Sequence, residues 1–171
     1  MEEQAVAPPP ISLRPVSEAD NALLLEIYAT TRAEEMALVP WTVEQQRAFV
    51  EMQFTAQQAE YRKLHPSARH DIIMANGRPV GRLYVARAKD GIEILDVTLL
   101  PPERNAGVGS YLIRQLMDEA ASKGTPLRIY IESFNPSLRL FERLGFKPGE
   151  RQGIYILLEW RSEATKSLPA E

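Results

Sequence analysis

Ile92-Glu93-Ile94-Leu95-Asp96-Val97-Thr98-Leu99, then Leu100-Pro101-Pro102-Glu103, then Arg104-Asn105-Ala106-Gly107-Val108-Gly109-Ser110, is the stretch whose reading decides the fold. It reads as a strand, a proline-bearing turn and the opening of a helix that continues to Lys123. Val108, Leu112, Leu116 and Ala120 stand four residues apart, and Ile113 and Met117 widen the stripe. Lys123-Gly124 supplies a cationic last turn and a stop. The first turn of such a helix leaves backbone N–H groups without partners and carries partial positive charge. Gly107 and Gly109 keep side chains away from those groups, and Arg104 adds a full charge, so the junction can hold an anionic phosphate. On these residues alone a tight strand-to-helix turn without a ligand is an equal alternative.

Two phosphate loops are excluded. A P-loop needs Gly-x-x-x-x-Gly-Lys followed by Ser or Thr, which no stretch supplies, and the dinucleotide fingerprint needs a third glycine where Leu112 stands. What remains is Arg104-x-x-Gly107-x-Gly109. It resembles the coenzyme A pyrophosphate loop of the GNAT superfamily of N-acetyltransferases, Gln/Arg-x-x-Gly-x-Gly/Ala.

Working outward, Met1–Pro10 ends in three prolines and is expected to be a mobile tail. Ile11–Val16 reads as a strand. Ser17-x-x-Asp20 opens a helix that turns Leu23, Leu24, Ile27 and Tyr28 inward, and Thr42-x-x-Gln45 opens a second with Phe49, Met52 and Ala56 as its apolar face. Asp71–Ala75, Asn76-Gly77, Val80–Ala86, Lys89-Asp90-Gly91 and Ile92–Leu99 read as an antiparallel meander. Leu127–Ile131 is a further strand, Asn135-Pro136-Ser137 starts a short helix that stops at Gly145, and Ile154–Trp160 is the last strand. Residues 11–160 thus form one domain of α/β class, a mixed sheet flanked by helices, followed by a polar tail over 161–171.

This order resembles the GNAT fold, and a second local match supports the resemblance. Asn135 through Phe146 is similar to the family's late motif, in which Asn opens a helix and Tyr-x-x-x-Gly-Phe closes it. The resemblance implies an acyl-CoA N-acyltransferase fold, its sheet mostly antiparallel with one parallel, splayed pair, here Ile92–Leu99 and Leu127–Ile131. It implies transfer of an acetyl group from acetyl-CoA to a primary amine of a small molecule or peptide by direct attack in a ternary complex. Cofactor contacts would come from Val97 and Leu99 on the strand, from Arg104, Asn105, Ala106, Gly107, Val108, Gly109 and Ser110 in the loop, and from Asn135 and Phe141. Glu93 stands where many members place the base that deprotonates the amine. Asp96 is the weaker candidate, on the opposite face by alternation unless a β-bulge exchanges the faces. The tyrosine that often protonates the leaving thiolate is replaced by Phe141, which keeps open a non-catalytic acyl-CoA-binding module or sensor. Tyr84, Tyr130 and Tyr155 read as packed aromatics, and His65 and His70 as solvated loop residues.

Composition narrows the rest. The chain has 171 residues, 44% hydrophobic and 25% charged, with a net charge of −3. That balance argues against nucleic acid or an anionic membrane as the main partner. With no cysteine and two histidines, disulfides, thiolate catalysis and a cysteine or histidine-rich metal site are not expected. An N-terminus without an apolar run makes a cytoplasmic protein the expectation. Homodimerisation and the identity of the acceptor are left open.

Overall fold

The computed structural model describes residues 9–167; most of the N-terminal tail lies outside them. The elements run β1 Ile11–Pro15, α1 Asn21–Ala37, α2 Val43–Leu64, β2 Arg69–Ala75, β3 Arg78–Ala88, β4 Gly91–Leu99, α3 Val108–Lys123, β5 Leu127–Glu132, α4 Leu138–Arg143, β6 Lys147–Gln152, β7 Tyr155–Trp160 and α5 Glu163–Lys166. The strands pair in the order β1-β2-β3-β4-β5-β7-β6. β4 and β5 are parallel, whereas β1 with β2, β5 with β7 and β6 with β7 are antiparallel. This is the mixed sheet with one parallel pair that the family resemblance implies. Among the described residues no helix is long and apolar enough to cross a membrane.

The chain divides into two compact units, one comprising residues 9–84 and 96–105, the other 85–95 and 106–167 of the described residues. In the first, the two helix starts form as their sequences dictate. The Asp20 carboxylate accepts from the Ser17 N–H at 2.8 Å and from both terminal nitrogens of Arg14 at 2.9 Å, which holds it well below the usual carboxylate range. Thr42 and Gln45 exchange hydrogen bonds at 3.0 and 3.1 Å. Leu24, Tyr28, Met36, Val50, Phe54 and Ile72 make the core of this unit.

The face of α2 departs from expectation. Val50, Phe54 and Gln58 are buried, while Met52 is 60% exposed, Ala56 is exposed and Phe49 is half-buried against Trp41 at 5.1 Å. The inward stripe is rotated from the expected one and includes a glutamine that hydropathy alone would place outside.

In the second unit α3 buries Val108, Leu112, Ile113, Leu116 and Ala120, the stripe the spacing predicts. Arg87 of β3 donates to both oxygens of Glu119 on α3, at 2.6 and 3.0 Å, and holds its pKa down to about 2. β5 pairs with β7 from Leu127↔Trp160 to Glu132↔Tyr155. In the polar stretch after Trp160, Ser162 caps one helical turn, accepting from the Thr165 N–H at 3.2 Å.

Candidate functional site

The backbone of the loop before α3 is shaped by its residue types. Pro101 and Pro102 enter a short 3-10 turn over Pro101–Glu103, where a fixed φ suits the first helical positions. Asn105 takes φ +63°, tolerated by asparagine, and Gly107 takes φ +83° as the N-cap of α3. Glycine at that cap has no side chain to offer, so the first turn carries no side-chain cap, and the N–H groups of Val108, Gly109 and Ser110 have no acceptor within the helix. The loop is exposed from Arg104 to Gly107. Uncapped N–H groups, the positive end of a 16-residue helix and an exposed approach fit a diphosphate. Arg104 is itself partly engaged: Nε donates to the Leu99 carbonyl at 3.0 Å, and a terminal nitrogen lies 3.5 Å from Thr30 Oγ1.

The two carboxylates on β4 have different surroundings. Ile92, Ile94 and Thr98 are buried, and Thr98 Oγ1 donates to Asp96 Oδ1 at 2.8 Å. Asp96 is an ion-pair partner of Arg82, whose Nε donates to Oδ2 at 2.6 Å. Both its oxygens are therefore occupied, which weakens it as a base. Glu93 is half-buried and in register with Arg128. Arg128 is neutralised by Glu159, 2.7 Å from its Nε.

The network behind Asp96 has little sequence signal. Arg82 is 1% exposed in the middle of β3 and also donates to Gln57 Oε1 at 2.7 Å. Its one hint is a lone charge within the apolar run from Val80 to Val85. Beside it, Gly81 leaves room for the Thr98 carbonyl, which an added Cβ would overlap. His70 is not solvated as expected. Its ring stacks on Tyr84 at 4.2 Å, and burial, aided by the charge of Arg82, pulls its pKa from 6.5 to about 4. His65 ends α2, its N–H donating to the Tyr61 carbonyl at 2.8 Å.

That histidine gives a signed pH effect. Between pH 6.5 and 4 the unfolded chain takes up a proton that folded His70 refuses, so stability falls as pH drops through this window. Arg82, Asp96, Arg62 and Asp20 are the charges that act on it. His70→Phe keeps a ring against Tyr84 and removes the titration. Denaturation midpoints measured across that window are expected to fall less steeply in the variant than in the parent; equal slopes would refute the assignment.

The late motif is placed as follows. Asn135 Oδ1 accepts from the Ser137 N–H at 2.9 Å, and the helix itself begins only at Leu138, beyond the proline expected near its first position. Phe141 is 1% exposed and meets Phe146 edge-on at 5.1 Å, so its ring is a core residue of this unit. Tyr84 is packed as expected, but Tyr130 and Tyr155 are 40% and 42% exposed, contrary to expectation. The parallel pairing of β4 with β5 ends at Ile94↔Ile129, although β5 continues to Glu132.

Comparisons with known proteins bear on the family and the fold. Residues 30–146 match the model of the Acetyltransferase (GNAT) family. Over 59 residues the chain is 41% identical to the glucosamine 6-phosphate N-acetyltransferase of Trypanosoma brucei brucei; the match covers 34% of this chain and 40% of that protein's length. In fold it is similar to the PaiA N-acetyltransferase of Thermoplasma acidophilum solved in complex with coenzyme A, with a TM-score of 0.65 at 16% identity over 90% of this chain and 99% of the other. YncA of Salmonella typhimurium, solved with its cofactor acetyl-CoA, gives a TM-score of 0.55 at 21% identity over 88% and 93%. With the family model spanning most of the sequence and the loop before α3 shaped for a diphosphate, this chain belongs to the GNAT acetyltransferase family, N-acetyltransferases that draw their acetyl group from acetyl-CoA.

Proposed function

We propose that the protein acetylates a primary amine by direct attack on the thioester in a ternary complex. The observation that carries this reading is the uncapped N-terminus of α3 behind Gly107 at φ +83°. The N–H groups of Val108, Gly109 and Ser110 bind the pyrophosphate, with Arg104 and the backbone of Asn105 and Ala106 lining its approach. Backbone groups of Val97 and Leu99 align the pantetheine arm and oppose charge developing on the carbonyl oxygen. Asn135 borders the same arm. Acetyl-CoA supplies an activated acyl group. Glu93 takes the ammonium proton, directly or through water, and the free nitrogen forms the new C–N bond. The C–S bond breaks, the acylated nitrogen sheds its second proton, and water passes that proton to the thiolate, a tolerable leaving group whose acid has a pKa of about 8.5. Phe141, buried against Phe146, does not serve as that acid.

The acceptor of the trypanosomal relative, glucosamine 6-phosphate, is one amine to be tried, beside polyamines, amino acids, arylalkylamines and peptide N-termini. Thiol release from acetyl-CoA is the readout. Release that depends on an added amine is the expected result. Tight acetyl-CoA binding with no amine-dependent thiol release would favour the acyl-CoA-binding module instead, a reading kept alive by the missing tyrosine at Phe141.

A further inference from the structure

Gly81 lies inside the buried part of β3, and its φ is negative. Glycine weakens the interior of a strand, so there it often marks a place where another backbone comes close. With a negative φ, the residue serves for the room it leaves and not for a conformation that side chains avoid.

What takes up that room is the end of β4. A Cβ on Gly81 would overlap the Thr98 carbonyl oxygen, with Leu99 Cα at 3.0 Å and Leu99 Cδ2 at 3.1 Å. The oxygen is nearer to that spot than either, whereas its own carbon is farther off, so the C=O bond points at Gly81. No peptide bond among the described residues is cis. In a trans peptide the N–H lies opposite the C=O, so the Leu99 N–H is aimed away from Gly81. The parallel ladder of β4 stops at Ile94 and makes no claim on this donor.

The groups around this peptide are tied down. The Leu100 N–H donates to the Val80 carbonyl at 2.8 Å, and the Leu99 carbonyl accepts from Arg104 Nε at 3.0 Å. Thr98 Oγ1 donates to Asp96 Oδ1 at 2.8 Å, and Asp96 is ion-paired with Arg82, the chain neighbour of Gly81. Arg82 is held in turn by Gln57 Oε1 at 2.7 Å. Val80 and Arg82 thus hold β4 on either side of the Thr98–Leu99 peptide, and Gly81 between them leaves the room in which that peptide is turned.

We propose that Gly81 is a positioning residue for the pantetheine arm. By carrying no Cβ it lets the Thr98 carbonyl turn toward it, and the trans peptide then presents the Leu99 N–H to the arm. The arm carries two amide carbonyls and the thioester carbonyl, acceptors that suit a single backbone donor. The inference rests on the acetyl-transfer reading and goes beyond it by naming the residue that sets the direction of the donor.

The test is the affinity of Gly81→Ala for two probes, acetyl-CoA and adenosine 3′-phosphate 5′-diphosphate, which keeps the diphosphate and lacks the arm. The added methyl forces the Thr98–Leu99 peptide to turn or retreat, because the nearest atom it meets is backbone. Acetyl-CoA affinity by calorimetry is expected to fall at least about tenfold, and affinity for the armless nucleotide to stay within about twofold. A role confined to the fold would lower both together. Gly149→Ala is the control: its Cβ would meet Leu157 at 3.6 Å, an ordinary contact, and both affinities should hold within about twofold. The parent protein gives a second measurement, which decides the matter if Gly81→Ala does not fold. In isotope-labelled protein the Leu99 amide proton resonance should move downfield on adding acetyl-CoA and stay in place on adding the armless nucleotide. An unchanged acetyl-CoA affinity in folded Gly81→Ala, an equal loss for both probes, or the same loss in Gly149→Ala would each overturn the proposal. So would a Leu99 amide that ignores acetyl-CoA or responds equally to both probes. The two readings fail separately. Acetyl-CoA binding with a silent Leu99 amide removes only the role of Gly81, whereas absence of acetyl-CoA binding in the parent protein removes the reaction itself.

Discussion

Gly107→Glu is expected to weaken acetyl-CoA binding at least about a hundredfold, a loss of roughly 2.7 kcal/mol. Two effects add. Gly107 holds φ +83°, a region where a side chain costs on the order of 1–3 kcal/mol, so the cap either strains or reshapes and its neighbouring N–H groups lose their aim. The new carboxylate also stands where a doubly charged pyrophosphate must approach, and it occupies the helix end the phosphates would use. Gly107→Ala separates the two, since it brings the conformational cost without the charge, and should lose less. Arg104→Ala should also lose less, because the N–H groups of Val108–Ser110 remain. Its Nε bond to the Leu99 carbonyl means that some of its effect will be on the shape of the strand end. Calorimetry with acetyl-CoA on proteins whose circular dichroism matches the parent is the measurement. An unchanged affinity in folded Gly107→Glu would remove the loop from cofactor binding.

What was legible in the sequence was what is local. The α3 stripe, the exchange between Thr42 and Gln45 and the glycine cap are set by residues within a few positions of one another, where spacing carries the physics directly. The resemblance carried the parallel placement of β4 beside β5, because no local pattern distinguishes a parallel neighbour from an antiparallel one. What escaped depends on partners distant in the chain. A lone arginine in an apolar strand reads as a misplaced charge until β4 brings Asp96, and α2 brings Gln57, within reach of it. α2 also turns Gln58 inward and leaves Met52 outside, opposite to what hydropathy suggests. His70 looked solvated because its stack on Tyr84 joins two strands. Tyr130 and Tyr155 looked packed because aromatic residues in strands usually are; that they stand on an open face follows from which residues alternate with Ile129 and Ile156.

Glu93→Gln is the prediction with the widest reach, since it tests the role of one carboxylate against the other on the same strand. The amide keeps the shape and hydrogen-bonding reach of the side chain and removes its capacity to accept a proton. If Glu93 is the base, kcat/KM is expected to fall by about 10²–10⁴-fold with a given acceptor. Acetyl-CoA affinity should barely change, because Glu93 precedes the loop by more than a turn of chain and lies in register with Arg128, whose partner is Glu159. The lost rate should partly return as pH rises toward the pKa of the amine, where a growing fraction of acceptor arrives already deprotonated. Asp96→Asn is the matched control. Asp96 is occupied by Arg82 and Thr98, so its amide leaves a buried guanidinium without its counter-charge, and the expected result is lost stability with a smaller loss of kcat/KM per folded molecule. Removal of one partner from such a pair costs about 3–5 kcal/mol when both are fully buried, and less here because the Asp96 side chain is 18% exposed. The two variants therefore separate along different axes: Glu93→Gln should keep its melting temperature and lose rate, and Asp96→Asn should lose melting temperature first. A Glu93→Gln protein with near-parental kcat/KM across the pH range would take Glu93 out of the mechanism. Water would then be the first alternative carrier of the amine proton, with Asp96, held by Arg82 and Thr98, the weaker one.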